Sequence, residues 1–413
     1  MMTKRRLPIL ALLSANAISM TGNMLTMLAV PWFVLETTGS AAKTGLTGFF
    51  ATLPVVIATF FGGAIVDRLG FKRVSVAADV ASGITVALIP FLYYTTGLAF
   101  WQLLVLVFLG AFLDAPGTTA RQSLLPDLAK MADMRLERAN ASYQAIQRFS
   151  ALAGPPLAGA LIVLLGASRV LWVDAATFAI SAALIGLTAP RAPVGKETSH
   201  HYLYDLAEGF RFVRQDRLVL SIVVTVAITN FLDSPLFAVV MPVYANRVLG
   251  SAADLGLAVA GFGASSLLAS IVFGMIGHRL PRRATFVSAF IAVGLPFWVL
   301  ATLPPFWIVV AALSFSGLAS GPLNPILMTV GQERVPAAMR GRVFGMISGL
   351  VYVAMPLGIA GSGYVVEELG LSASLVIIAA GYLAVTVGQL FNPALHEMAR
   401  PAKVSQEVSA KPA

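Results

Sequence analysis

The sequence predicts an all-α integral membrane protein with twelve transmembrane helices in two pseudo-symmetric six-helix bundles. Three observations carry that prediction. The chain has 413 residues, of which 58% are apolar and 11% charged, with a mean hydropathy of +0.83. Soluble domains carry roughly 25% charged residues, and so sparse a set could not cover a soluble particle of this size. Apolar stretches of about 18 residues or more recur along the chain, the length needed to cross hydrocarbon. A charge-bearing hairpin also appears twice, first as Gly63-Ala64-Ile65-Val66-Asp67-Arg68-Leu69-Gly70-Phe71-Lys72-Arg73 and then as Gly274-Met275-Ile276-Gly277-His278-Arg279-Leu280-Pro281-Arg282-Arg283. Gly63 and Arg68 map onto Gly274 and Arg279 at an offset of 211, while Arg73 and Pro126 map onto Arg283 and Pro336 at 210. Two equivalent halves give such a period, which is the architecture of a membrane carrier.

Within the first bundle (1–189), apolar runs place spans at about 8–35, 44–66, 74–96, 99–120, 142–165 and 169–189. Lys4-Arg5-Arg6 ahead of an apolar run imitates a secretory signal, but the run continues to about Val34 with no small-residue cleavage site. The first span is therefore expected to stay uncleaved. A linker (190–217) follows, with Leu203, Leu206, Phe210 and Val213 at helical spacing. This predicts a short amphipathic helix at the membrane interface. The second bundle (218–400) is expected to hold spans at 218–241, 255–278, 284–303, 306–329, 343–366 and 372–395, and the polar tail 401–413 is expected to be disordered.

Of 28 Lys and Arg, 24 fall in the termini and the even-numbered loops. Lys43, Arg169 and Arg247 lie in the opposite set, and Arg148 sits inside a span. That asymmetry predicts a multi-pass cell-membrane protein with both termini in the cytoplasm. It also accounts for the net charge of +9 without nucleic acid. With no cysteine, disulfides, thiolate metal sites and thiol catalysis are excluded. Four histidines (His200, His201, His278, His396) suggest no metal site, and no nucleophile–base pair or phosphate-cradling loop suggests an enzyme or a cofactor. Gly256–Gly263 reads as close helix packing.

The first hairpin fits Gly-x-x-x-Asp-Arg-x-Gly-x-(Lys/Arg)-(Lys/Arg), and through it the chain resembles the major facilitator superfamily. Glu36–Ser40, Asp114–Leu128 and Gly154-Pro155-Pro156-Leu157-Ala158-Gly159 resemble its drug:proton antiporter branch, which holds macrolide-efflux and siderophore-exporter proteins. The resemblance implies proton-coupled efflux of amphipathic small molecules by alternating access, with substrate, protons and membrane lipid as partners and a monomer as the working unit. It also implies a cytoplasmic gate motif (Gly63, Asp67, Arg68, Gly70, Arg73, with Asp127) and an antiporter motif (Gly154, Pro155, Gly159). One departure is Gly22-Asn23, where relatives resembling this chain carry Gly-Asp. The alternatives are an exporter of one physiological compound such as a siderophore, a lysolipid transporter, or a non-transporting membrane sensor.

Asp67 at the cytoplasmic end of span 2 would meet the positive N-terminus of span 11, worth about 0.3–1 kcal/mol and up to ~2 if partly buried. Gly63 allows close approach, and Arg68 and Arg73 face Asp127, so the hairpin is expected to latch the cytoplasmic side. In the second copy His278 replaces Asp67, which reads as a weaker latch. The plainer alternative is that the hairpin sets topology and anchors headgroups.

Charges at membrane depth carry a penalty of at least ~2.5–3.5 kcal/mol on insertion scales and mark candidate sites. Gly110, Asp114, Gly117 and Arg121 share one face of span 4, making Asp114 the leading proton carrier unless Arg121 or Arg148 pairs with it permanently. Asp233, beside Asn230 and Pro235, is the second candidate, the alternative being a packed core carboxylate. Arg148, on a face with Gln144, Ala151 and Pro155, either tunes Asp114 or snorkels to the interface. Asp79 ranks below these, and Glu36 and Asp174 read as interfacial. Asn16, Ser19, Asn23 and Thr26 stripe span 1, and Ser314, Gly317, Gly321, Asn324 and Met328 stripe span 10. With Gln147, Asn230 and Tyr352 these outline a central cavity, made adaptable by 25 Phe and 14 Met.

Overall fold

The computed structural model describes residues 2–190 and 202–399, with side chains described outside 2–5, 59–69, 202–206, 338 and 399. Twelve of its helices are long and apolar enough to cross a membrane, and no strand occurs among the described residues. Spans 1 to 6 are the helices Met2–Thr38, Ala41–Leu69, Phe71–Thr95, Phe100–Met131, Leu136–Leu165 and Ala167–Thr188. Spans 7 to 12 are Arg217–Leu249, Ala252–Arg279, Arg282–Leu300, Phe306–Arg334, Arg340–Leu369 and Leu371–Phe391. Twelve crossings put both chain ends on one face, here the terminal face, with the distal face opposite. The protein is therefore a multi-pass membrane protein.

Connections are short where glycine supplies a backbone that other residues rarely adopt. Gly70 alone, at φ +85, separates spans 2 and 3, so in the hairpin motif it is the turn itself. Span 4 runs well past its expected end near residue 120, because Arg121 does not meet water there. It is buried, and Leu124, Leu125 and Leu128 beyond it pack into the first half. Span 5 continues through Pro155-Pro156 without interruption.

One apolar core joins the two halves, running from Leu28, Trp32 and Phe33 of span 1 to Val239, Met241 and Tyr244 of span 7 and Leu255 of span 8. Two smaller cores, each confined to one half, sit at the terminal face: Leu12, Leu124, Leu128 and Tyr143 in the first, Val219, Val343 and Met346 in the second. Backbone contacts between halves are made by small residues. A Cβ on Gly45 of span 2 would sit 2.8 Å from the Gly363 Cα of span 11, and one on Gly159 of span 5 would sit 2.4 Å from the Ala252 carbonyl of span 8. Gly256 packs equally tightly on the Pro155 carbonyl, whereas Gly263 has open space, so close packing accounts for only part of the glycine-rich stretch.

The linker contains a helix, Tyr202–Gln215. It docks on the start of span 11 through Val213 in the second-half core and through Glu208, which accepts from Arg342 at 2.5 Å.

Candidate functional site

Four spans of the first half converge on one buried guanidinium. Gly117 sets the approach, since a Cβ there would lie 2.7 Å from the Ala78 Cβ, bringing spans 3 and 4 together. Arg121, 0% exposed, then forms an ion pair with Asp79 of span 3 and donates to the Thr118 hydroxyl at 3.1 Å. The second oxygen of Asp79 accepts from Ser181 of span 6 at 2.6 Å. On its far side, Arg121 Nη2 stands 3.6 Å from Asp114 Oδ1, and Asp114 Oδ2 accepts from Asn23 of span 1 at 3.0 Å. The Asp79 side chain is fully buried and that of Asp114 is 21% exposed, so Asp114 is the member that solvent or a ligand reaches. Two carboxylates around one guanidinium leave a net charge of −1 when all are ionised. Neither Asp114 Oδ1 nor Arg121 Nε has a hydrogen-bond partner, so the cluster keeps bonding capacity.

Asp174 is another buried carboxylate of the first half. Expected at the interface, it is 0% exposed and accepts from Thr26 at 2.5 Å and Thr177 at 3.0 Å, with no cation in ion-pair range among the described residues. Gly22 makes room for it, because a Cβ there would be 2.2 Å from Asp174 Oδ1. The Gly22-Asn23 pair thus faces two carboxylates, Gly22 touching Asp174 and Asn23 donating to Asp114.

Several expected positions fall elsewhere. Arg148 and Gln147 are exposed on span 5, and Arg148 does not pair with Asp114; Arg121, one turn from Gly117, takes that place. Asn16 does not line a cavity but is fully buried, with neither amide atom bonded. Asn230 donates to the Val351 carbonyl at 3.0 Å and so cross-links spans 7 and 11. Asp233 is partly buried without an ion pair among the described residues, and Asn324 and Tyr352 are exposed. In the gate motif, the side chains of Gly63, Asp67 and Arg68 lie outside the described residues. Arg73 and Asp127 are both exposed and make no ion pair with each other; Lys72 instead donates to the Ala189 carbonyl at 2.5 Å, tying this hairpin to the end of span 6. The second hairpin holds a forked pair, Arg282 to Glu333 at 2.6 and 2.9 Å. Gly154 packs on Met24, Pro155 on Gly256 and Gly159 on Ala252, so the antiporter motif forms the seam of span 5 with spans 1 and 8.

One helical turn beyond Asn23 toward the distal face, an apolar cavity of about 180 Å³ opens between the halves. Met27 and Leu28 of span 1, Phe237 and Pro242 of span 7, and Leu255, Val259 and Phe262 of span 8 line it. Phe237 and Phe262 meet at 5.0 Å between ring centroids. An engineered apolar cavity of about 150 Å³ accommodates benzene, so this space suits a ring-sized apolar group.

A family model described as Major Facilitator Superfamily matches residues 12–250 and 223–412. The chain is 32% identical to the multidrug efflux pump Tap of Mycolicibacterium fortuitum, over 96% of this chain and 98% of that protein. It is 20% identical to macrolide efflux protein A of Streptococcus pyogenes, over 87% and 89% of the two chains. Among solved structures, the nucleoside transporter NupG superposes with a TM-score of 0.77 at 16% identity, covering 93% of this chain and 98% of that one.

Proposed function

The chain belongs to the Major Facilitator Superfamily, and from that premise we propose that it exports amphipathic small molecules, drugs among them, in exchange for protons by alternating access. Efflux as the direction rests on the likeness to Tap and to macrolide efflux protein A. Placement of both termini in the cytoplasm rests on the distribution of Lys and Arg.

The observation that supports proton coupling is the unequal sharing of Arg121. Asp79 and Arg121 satisfy each other in the buried interior, and Asp114 is left as the partly exposed, more loosely held acid of a net-negative cluster. A proton on Asp114 discharges the cluster and leaves Arg121 wholly with Asp79. Loss of that proton restores the attraction of Arg121 Nη2 across 3.6 Å. Burial keeps both interactions strong, because the interior screens charge far less than water does. The apolar cavity lies about 6 Å from Asn23 along span 1, one turn of helix. A molecule with an apolar ring and a polar or basic group at that separation spans both features.

The test is efflux in proteoliposomes with an imposed pH gradient, run against a panel of dyes, macrolides and other amphipaths. Export that collapses with a protonophore and is lost in Asp114→Asn supports the reading. Gradient-independent movement, or full coupling in the variant, refutes it.

A further inference from the structure

The distal face carries a polar clasp between the halves. Arg247, at the end of span 7, donates to the Gly39 carbonyl at 2.8 Å, in the turn between spans 1 and 2. The same guanidinium lies 3.7 Å from Glu367 Oε2 at the end of span 11. That oxygen in turn accepts from the N–H of Ala41 at 2.7 Å, the first residue of the span 2 helix. Two residues of the second half thus satisfy a turn carbonyl and a helix-end donor of the first, and the helix dipole favours the negative charge of Glu367 at that point. The Gly45–Gly363 contact lies immediately beneath.

Span 7 is irregular on its way to Arg247. The N–H of Met241 bonds to the Leu236 carbonyl and that of Gly250 to the Ala245 carbonyl, each five residues back instead of four. These are two successive wide turns, and such turns concentrate at functional sites. The first carries Phe237 and leads into Pro242, both of which line the apolar cavity. The second carries Arg247. Between them, the Tyr244 hydroxyl is anchored on the Pro304 carbonyl. Cavity wall and clasp are therefore two parts of one irregular segment, 236–249.

We infer that Arg247 and Glu367 form the distal gate, and that segment 236–249 couples this gate to the cavity. A group pressing on Phe237 and Pro242 repacks the first wide turn, and the displacement passes through Tyr244 to withdraw Arg247 from Gly39. The gate serves the transport reading above, but its test requires neither transport nor a pH gradient.

The chain has no cysteine, so paired spin labels can be placed without background. Thr96 and Thr302 are exposed in distal turns of opposite halves and suit Thr96→Cys and Thr302→Cys. Electron–electron resonance on the labelled protein in lipid nanodiscs then reports the separation of the halves. Arg247→Ala and Glu367→Ala are each expected to raise the ratio of a longer-distance population about three- to tenfold, as loss of a partly exposed charge-assisted contact implies. Glu368→Ala, the neighbouring exposed acid, leaves the distribution unchanged. With the clasp intact, the cavity-filling Val259→Phe, or the smaller step Val259→Leu, raises the same longer population. An unchanged distribution in both clasp variants overturns the gate. A response to the clasp variants but not to cavity filling overturns the coupling. A protein that passes both tests yet exports nothing overturns the transport reading and leaves the gate standing.

Discussion

Arg121 is ion-paired with Asp79 across the seam of spans 3 and 4, and Asp114 stands 3.6 Å off the other side of the same guanidinium. The two acids are therefore unequal in both burial and bonding. Asp79 holds the cation in place, and Asp114 is held more loosely, by the longer Arg121 contact and by Asn23.

That inequality separates two isosteric substitutions. Asp79→Asn removes the fully buried partner of a fully buried cation, and breaking such a pair is worth about 3–5 kcal/mol. Asp114→Asn keeps the contact with Asn23 and gives up only a longer, partly exposed one, for which about 1 kcal/mol or less is expected. Thermal unfolding in detergent should show a large fall in Tm for the first and a small one for the second. The reverse order would contradict the geometry.

Gly22 is expected to reject even a methyl group. A Cβ there would stand 2.2 Å from Asp174 Oδ1 and 2.1 Å from Thr177 Oγ1, both held inside the spans 1–6 seam. Gly22→Ala should destabilise by about 1–3 kcal/mol, the usual range for overpacking. Combining it with Asp174→Ala, which clears the obstructing carboxylate, should recover part of that loss in the same melt.

At the inter-half seam, Gly159→Ala forces a Cβ to within 2.4 Å of the Ala252 carbonyl, a backbone atom that cannot rotate away. Spans 5 and 8 must separate, and both Tm and the initial rate of efflux should fall. Gly263→Ala on span 8 meets nothing within 4 Å and should leave both unchanged. Equal behaviour of the two variants would mean that the seam does not bear on the cycle.

The forked Arg282–Glu333 pair at the terminal face has ideal geometry but side chains 39% and 38% exposed. Glu333→Gln should change stability by less than about 1 kcal/mol, and the difference should shrink as salt is raised.

The hydropathy of the chain was enough to read the twelve spans, because burial in hydrocarbon leaves a one-dimensional trace. The shared face of Asp114, Gly117 and Arg121 was legible for the same reason: helical spacing is local. The partner of Arg121 was not. Asp79 lies on a different span, and its encounter with Arg121 depends on how closely Gly117 lets span 3 approach, which is a matter of register between helices. Asp174 was misjudged because residue count put it near a span end, while Gly22 and Thr26 enclose it there. Asn16 shared a polar stripe with Asn23, but a stripe gives spacing without saying which way the helix is turned. Arg148 shares helical spacing with Gln144 and Pro155, but spacing alone does not say that its side chain is exposed while Arg121 stands beside Asp114. The wide turns of span 7 leave no mark on hydropathy at all.

The backbone contact of Gly45 with Gly363 lies close to one end of span 2. From there the helix extends about 6 Å back to Ala41 and about 36 Å onward to Leu69. The two arms of span 2 on either side of that crossing therefore stand in a ratio of roughly six to one. A rotation about that crossing that parted Ala41 from Glu367 by an ångström or two would carry the far end of span 2 by around ten.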